Sequence, residues 1–76
     1  MNKQRRRNLQ KIIDALYDLK CNLENLQEEE QESFENMPEG LQDTERGQQL
    51  EENADSLNEC VDDLDNLLEN LQNIND

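Results

Sequence analysis

One proline near the middle of the chain separates two stretches that each have the residue pattern of a long amphipathic helix. Pro38 lacks a backbone N–H and restricts Met37 to extended conformations, so a helix arriving from the N-terminal side ends here. Gly40 follows and is free to adopt positive φ. The sequence therefore predicts a helix, a reversal of the chain and a second helix. The residues assigned to the turn are Phe34, Met37, Pro38, Gly40, Leu41 and Arg46.

Each stretch repeats apolar residues at alternating steps of three and four, the spacing of a helix that packs lengthwise on another helix. We expect the first helix at about 3–35, the turn at about 36–43 with one short helical segment, and the second helix at about 44–75. The predicted seam of the first helix comprises Leu9, Ile12, Leu16, Leu19, Leu23 and Leu26. The predicted seam of the second comprises Leu50, Ala54, Leu57, Val61, Leu64, Leu68 and Leu71.

The charges at the helix ends favour an antiparallel hairpin. Three arginines, at positions 5–7, lie at the positive end of the first helix dipole, and glutamates at 28–35 crowd its negative end. Folding back brings the arginines beside the acidic end of the second helix, around Glu69 and Asp76, in the same or a partner chain. It also brings the glutamates beside the positive start of the second helix. The predicted fold class is an all-α, antiparallel two-helix coiled-coil hairpin.

The predicted apolar surface is wider than two helices can cover. Ile13 widens the first seam, and Cys60, Leu67 and Ile74 form a row at seven-residue spacing beside the second. A chain of 76 residues buries little apolar surface by itself. We therefore predict that two hairpins pair through these four residues into a homodimeric four-helix bundle. The alternative is that the stripe docks on another protein.

Composition argues against several functions. The chain has no histidine, no glycine-rich phosphate loop and no room for a concave pocket, so we expect no catalysis and no cofactor. The glutamates at 28–30 lack EF-hand spacing, so no metal site is expected. A net charge of −13 argues against direct binding of nucleic acid or anionic membrane. With no membrane span and no signal-peptide core, the expected compartment is the cytoplasm.

The two cysteines are too few and too far apart to form a zinc or redox motif. Cys60 borders the apolar stripe and Cys21 falls on the outer side of the first helix. We expect Cys60 to be a small core hydrophobe and Cys21 to be a surface thiol.

An acidic stripe runs along one side of the second helix. Its members follow one another at short helical steps, so successive carboxylates lie about 5–6 Å apart along the axis, similar to the spacing of phosphates in nucleic acid. The acidic stripe comprises Glu52, Asp55, Glu59, Asp62 and Glu69. A rod with this stripe could occupy the basic surface of a nucleic-acid-binding protein as a mimic. The alternative is that these acids only keep the surface solvated.

The turn resembles that of a family of small, uncharacterised acidic helical-hairpin proteins from Gram-positive phages and mobile elements, in which a basic first helix precedes an acidic, leucine-rich second helix. The matching residues are Phe34, Asn36, Met37, Pro38, Glu39, Leu41, Gln42, Thr44, Glu45 and Arg46. Gly40 departs from the polar residue of that pattern. The resemblance brings no activity. It implies a phage or mobile-element setting, where small acidic proteins often bind and block a host protein such as a defence nuclease.

Two functions are therefore expected. The first is an inhibitor or regulator that binds a host nucleic-acid-binding or defence protein through the acidic stripe. The second is a structural or accessory oligomerisation protein, in which the apolar residues make the contact and the acids only solvate.

Overall fold

The computed structural model describes all 76 residues and consists of helices joined by tight turns. Two long helices, α1 (Lys3–Glu35) and α3 (Glu45–Asn75), are separated by the single helical turn α2 (Glu39–Gln42). The helices α1 and α3 pack against each other along their length in opposite directions, giving a rod of 59 × 15 × 13 Å. The prediction of an all-helical hairpin is confirmed.

Each long helix begins at a polar residue whose side chain accepts a hydrogen bond from the first turn. The Asn2 side chain accepts from the backbone N–H of Arg5 at 2.8 Å. Thr44 accepts from the backbone N–H of Gly47 at 3.4 Å. These caps use amide groups that a helix start otherwise leaves without a partner.

The reversal depends on Pro38 and on the side chain of Gln42. The Gln42 amide donates to the carbonyl of Phe34 at 3.2 Å and to that of Met37 at 3.1 Å, which ties α2 to the end of α1. Gly40 does not use positive φ, and no residue of the chain does. The turn is therefore closed by hydrogen bonds rather than by a left-handed glycine.

The glycine that the turn requires is Gly47. It is buried in the first turn of α3, and a Cβ added there would lie 2.7 Å from both the Cα and the carbonyl carbon of Gln42. Carbon atoms of two side chains or backbones do not approach that closely. The absence of a side chain therefore allows α3 to start directly against α2.

The side that α3 buries is the predicted one, but α1 is rotated relative to the prediction. Ile13, at 2% exposure, packs with Leu9 and Leu68 in the core of the hairpin. The assignment of Ile13 to an oligomer interface is therefore wrong. The exposed fractions are 53% for Ile12, 58% for Leu19 and 48% for Leu26, all three of which were predicted in the seam. The buried or half-buried residues of α3 include Leu50, Ala54, Leu57, Val61, Leu64, Leu68 and Leu71.

The observed seam of α1 differs from the predicted one at every second position. Both seams pass through Glu30, but the predicted seam continues to the exposed Ser33 and the observed seam to the half-buried Phe34. Two polar residues of the observed seam have partners on α3, since Lys20 contacts Asp65 and Asn53 donates to Glu30 at 3.4 Å. The observed seam comprises Leu9, Ile13, Leu16, Lys20, Leu23, Gln27, Glu30 and Phe34.

We predict that Gly47→Ala destabilises the hairpin. The added Cβ forces apart the α2 backbone and the start of α3, and overpacking of this kind costs about 1–3 kcal/mol of the free energy of unfolding. Thermal unfolding followed by far-ultraviolet circular dichroism measures the effect. Gly40→Ala is the matched control because no atom lies within 4 Å of its added Cβ. We expect that control to be neutral or stabilising by up to about 1 kcal/mol, and equal melting temperatures for the two variants would contradict the close approach.

Candidate protein-interaction surfaces

The acidic stripe lies on the outer side of α3, from about 100° to about 160° around the helix from the residues buried against α1. Asp55, Asp62 and Glu69 directly follow the buried residues Ala54, Val61 and Leu68, which places them about 100° around the helix from the seam. All five members of the stripe are exposed. Every ion pair of the chain is made by one lysine of α1 with residues outside the stripe. The stripe therefore presents carboxylates that are unpaired within the chain.

The arginines at the start of α1 do not contact the acidic end of α3. Arg5, Arg6 and Arg7 are exposed and make no ion pair within the chain. The predicted pairing with Glu69 and Asp76 is therefore absent from the hairpin. The contact that closes this end of the rod is uncharged, with the Asn75 amide donating to the Gln10 side chain at 2.9 Å.

Exposed apolar side chains form two rows, one on each long helix. On α1 the row is Ile12, Leu19 and Leu26, and on α3 it contains Leu67 and Ile74, with exposed fractions from 43% to 58%. Cys60 extends the α3 row toward the turn and is also exposed. Cys60 is therefore not buried within one hairpin, and its burial in the core of a predicted dimer stays a prediction. Leu67 and Ile74 occupy the exposed flank on which they were predicted.

Both rows lie on the same flank of the hairpin. Leu26 of α1 and Asn53 of α3 line one shallow groove together with Leu57. Residues seven positions apart on a helix point in nearly the same direction. Ile12 and Leu19 therefore lie on the same side of α1 as Leu26, and the residues of the α3 row lie on the same side of α3 as Asn53. The two rows therefore form one surface, which we call the apolar face. Its members are Ile12, Leu19, Leu26, Cys60, Leu67 and Ile74.

Between its two ends, which are marked by Arg5 and Glu29, the outer border of the apolar face carries little charge. A residue four positions earlier on a helix is the neighbour of each face residue on the outer side. These six neighbours are Asn8, Ala15, Asn22, Ser56, Asp63 and Asn70, and Asp63 is the one charged residue among them. The chain has 27 charged residues, but only one of these six neighbours is charged. This part of the surface therefore resembles the core of a protein interface, where charged residues are depleted.

The opposite flank carries an ion-pair cluster around Lys20. The ammonium group of this lysine contacts the carboxylate of Asp65, lies 3.4 Å from that of Glu24 and lies 5.5 Å from the ring centroid of Tyr17. Asp65 follows Cys60 by five residues, which places it about 140° around α3 from the apolar face. The hydrogen bond to Asp65 raises the pKa of Lys20 above its ordinary value of 10.5.

Sequence reasoning missed the role of Lys20. A signal was present, since this is the one basic residue between Lys11 and Arg46, and it lies seven residues after the buried Ile13. A polar residue at a core position of a coiled coil specifies the register of the two helices. We assign the cluster a structural role of this kind.

The predicted turn residues differ in exposure. Phe34 and Met37 are half-buried, whereas Pro38, Leu41 and Arg46 are exposed. The chain contains no group of three or more side chains placed to hold a metal ion. Both cysteines are free thiols.

Comparison of the chain with protein-family models, with curated proteins and with solved structures gives no match. Neither long helix contains a stretch apolar enough to span a bilayer. The apolar face and the acidic stripe are therefore the features from which a function is argued.

We predict that the contribution of Lys20 to stability disappears in strong alkali. The folded pKa lies above 10.5, so the contribution is fully present below about pH 10.5 and is lost as the pH rises through the folded pKa. The melting temperature of the wild type should therefore fall toward that of Lys20→Met over this range, as measured by circular dichroism.

Lys11→Met is the control for the alkaline measurement, because Lys11 is exposed and makes no ion pair. Its melting curve should follow that of the wild type at every pH. A constant difference between wild type and Lys20→Met up to the highest pH would contradict the stabilising role of the cluster.

Proposed function

We propose that this protein acts by protein–protein contact, as a helical hairpin that pairs with a second copy of itself through the apolar face. The observation that carries the proposal is the concentration of five half-exposed large apolar side chains on one flank of the rod. Only six of 76 residues are buried within a single chain. Pairing of two apolar faces would convert them into the centre of a four-helix bundle and supply the core that one hairpin lacks.

The low charge along the middle of the border makes a second copy a suitable occupant of the apolar face. Two chains that each carry a net charge of −13 repel one another unless their acidic surfaces stay apart. The acids of α3 are concentrated on its outer side, and the side chains around the apolar face are mostly amides and small residues. Face-to-face pairing therefore buries apolar surface without bringing many like charges together.

A second candidate function uses the acidic stripe. In the proposed bundle the stripe of each chain points outward, so its carboxylates stay free to bind a basic protein surface. The specific support is that all five acids are exposed and unpaired within the chain. The partner class we propose is a nucleic-acid-binding or defence protein of a host cell, inhibited in the cytoplasm by mimicry of nucleic acid. This proposal also uses the phage setting that the resemblance at the turn implies.

Catalysis is not part of the proposal. The side chains that the fold gathers are apolar residues, amides and solvated carboxylates, without a histidine or an activated nucleophile. The proposed role is therefore that of an oligomerising and partner-binding protein, with no cofactor.

We predict that Leu19→Gln/Leu67→Gln converts a dimer into a monomer and leaves the hairpin helical. Both leucines lie on the apolar face and are exposed within one chain, so the hairpin core is not disturbed. Sedimentation equilibrium should give twice the chain mass of 9.0 kDa for the wild type and the single-chain mass for the variant. Circular dichroism checks that helix content is retained.

The control for this experiment is Leu41→Gln, which makes the same chemical change at an equally exposed leucine in α2. This variant should remain dimeric. A wild-type protein that stays at the single-chain mass at high concentration would refute pairing through the apolar face.

We predict that neutralising the acidic stripe abolishes partner binding. A tagged protein captures its partner from a Gram-positive bacterial lysate, and binding by mimicry should be released by salt and displaced by added duplex DNA. The variant Asp55→Asn/Glu59→Gln/Asp62→Asn should lose the captured protein. Capture that survives in this variant, or that DNA does not displace, would contradict the mimicry proposal.

The matched control for the stripe is Asp14→Asn/Asp18→Asn/Glu35→Gln, which removes the same charge from exposed positions of α1. We expect this variant to capture the partner as the wild type does. Equal loss in both triple variants would show an effect of net charge rather than of the stripe.

A further inference from the structure

We propose that the two hairpins pair in antiparallel orientation, so that the arginines at the start of α1 in each chain meet the glutamates at 28–32 of the other chain. This inference rests on the proposed dimer and adds its orientation and the residues that select it. It starts from the arginines, which have no ion-pair partner in their own chain.

The basic and acidic clusters both border the apolar face. Arg5 precedes Ile12 by seven residues, so it continues the α1 row beyond the last apolar residue. Glu29 follows Leu26 by three residues and is therefore its neighbour on the helix surface. Glu30 lines the same groove as Leu26. Each end of the α1 row is thus marked by one sign of charge.

The clusters lie at matching distances from the centre of the apolar face. Leu19 is the central residue of the α1 row. Leu67 lies at nearly the same level along the rod on α3, because the neighbouring residues Lys20 and Asp65 are in contact. Arg5 lies 14 residues before Leu19, and the glutamates at 28–32 lie 9 to 13 residues after it. These separations correspond to about 21 Å and about 14–20 Å along the helix.

A two-fold axis that crosses the rods at Leu19 therefore brings opposite charges together. It packs α1 on α1 of the second copy, with Leu19 meeting its own counterpart and Ile12 meeting Leu26. The arginines of each chain then lie level with positions 31–33 of the other, so that Arg6 is level with Glu32 and the glutamates at 28–30 are within the next turn. Pairing of this kind satisfies both clusters at once and occurs at both ends of the bundle.

The parallel alternative places like charges together. When the two-fold axis runs parallel to the rods, the arginines of both chains lie together at one end of the bundle. Both glutamate clusters then lie together at the other end. Arg5 would also lie beyond the α3 row, near Asp76, which offers one carboxylate side chain in place of the glutamate cluster at 28–32. Like-charge juxtaposition at an interface suppresses the wrong arrangement, so the charges favour the antiparallel dimer.

Disulfide trapping in a chain with Cys21→Ser and Cys60→Ser tests the orientation. When a protein carrying Ile12→Cys is mixed with one carrying Leu26→Cys and oxidised, the antiparallel dimer should give the mixed disulfide in high yield. When Ile12→Cys is mixed with Ile74→Cys, only a parallel dimer brings the two thiols together. A disulfide between positions 12 and 74 and none between 12 and 26 would overturn the orientation. Absence of any dimer by sedimentation would instead refute the proposed function.

Charge reversal provides a second readout that does not depend on trapping. The variant Arg5→Glu/Arg6→Glu should weaken the dimer about tenfold or more in low salt, and so should Glu29→Arg/Glu32→Arg. A chain that carries all four substitutions restores opposite charges in the antiparallel dimer and should recover the wild-type dissociation constant. Failure of the fourfold variant to recover affinity, with the dimer otherwise intact, would contradict the pairing of these two clusters.

Discussion

The contact between α1 and α3 is a single line of side chains, and the other features of this structure depend on how narrow that line is. A helix pair can bury the side chains that point directly at the partner helix, and here that amounts to a few aliphatic residues per helix. Ile13, Leu9 and Leu68 form a buried apolar cluster on this line, at the open end of the hairpin. Everything farther around each helix stays exposed and is available to a second contact.

The two flanks of the hairpin lie on opposite sides of this line of side chains and differ in chemistry. On one flank, Lys20 reaches from the seam to Asp65 and Glu24, and Tyr17 covers its side chain. On the other, Leu19 and Leu67 stand half-exposed. The charged flank fixes the register of the helices and remains compatible with water. The apolar flank has no such compensation, which is why self-association is the best-supported role.

The turn determines which residues can share a flank. Gln42 ties α2 to the end of α1 through two carbonyl groups, and Gly47 allows α3 to begin against the α2 backbone. This close approach sets the height at which α3 starts. The level of every α3 residue relative to α1 follows, including the pairing of Lys20 with Asp65. A looser turn would leave the alignment of the two apolar rows undefined.

The sequence by itself determined the helices, their reversal and the seam of α3, since Pro38 and the spacing of apolar residues depend only on local chemistry. The exposed acids of α3 were also predictable from helical periodicity. The rotation of α1 was not, because Ile12 and Ile13 are adjacent and equally apolar, and either can face a partner helix. Only the tertiary structure chose Ile13, which packs with Leu9 and Leu68, and the same rotation of α1 places Lys20 in contact with Asp65. That choice turned Ile12, Leu19 and Leu26 outward and thereby created the apolar face.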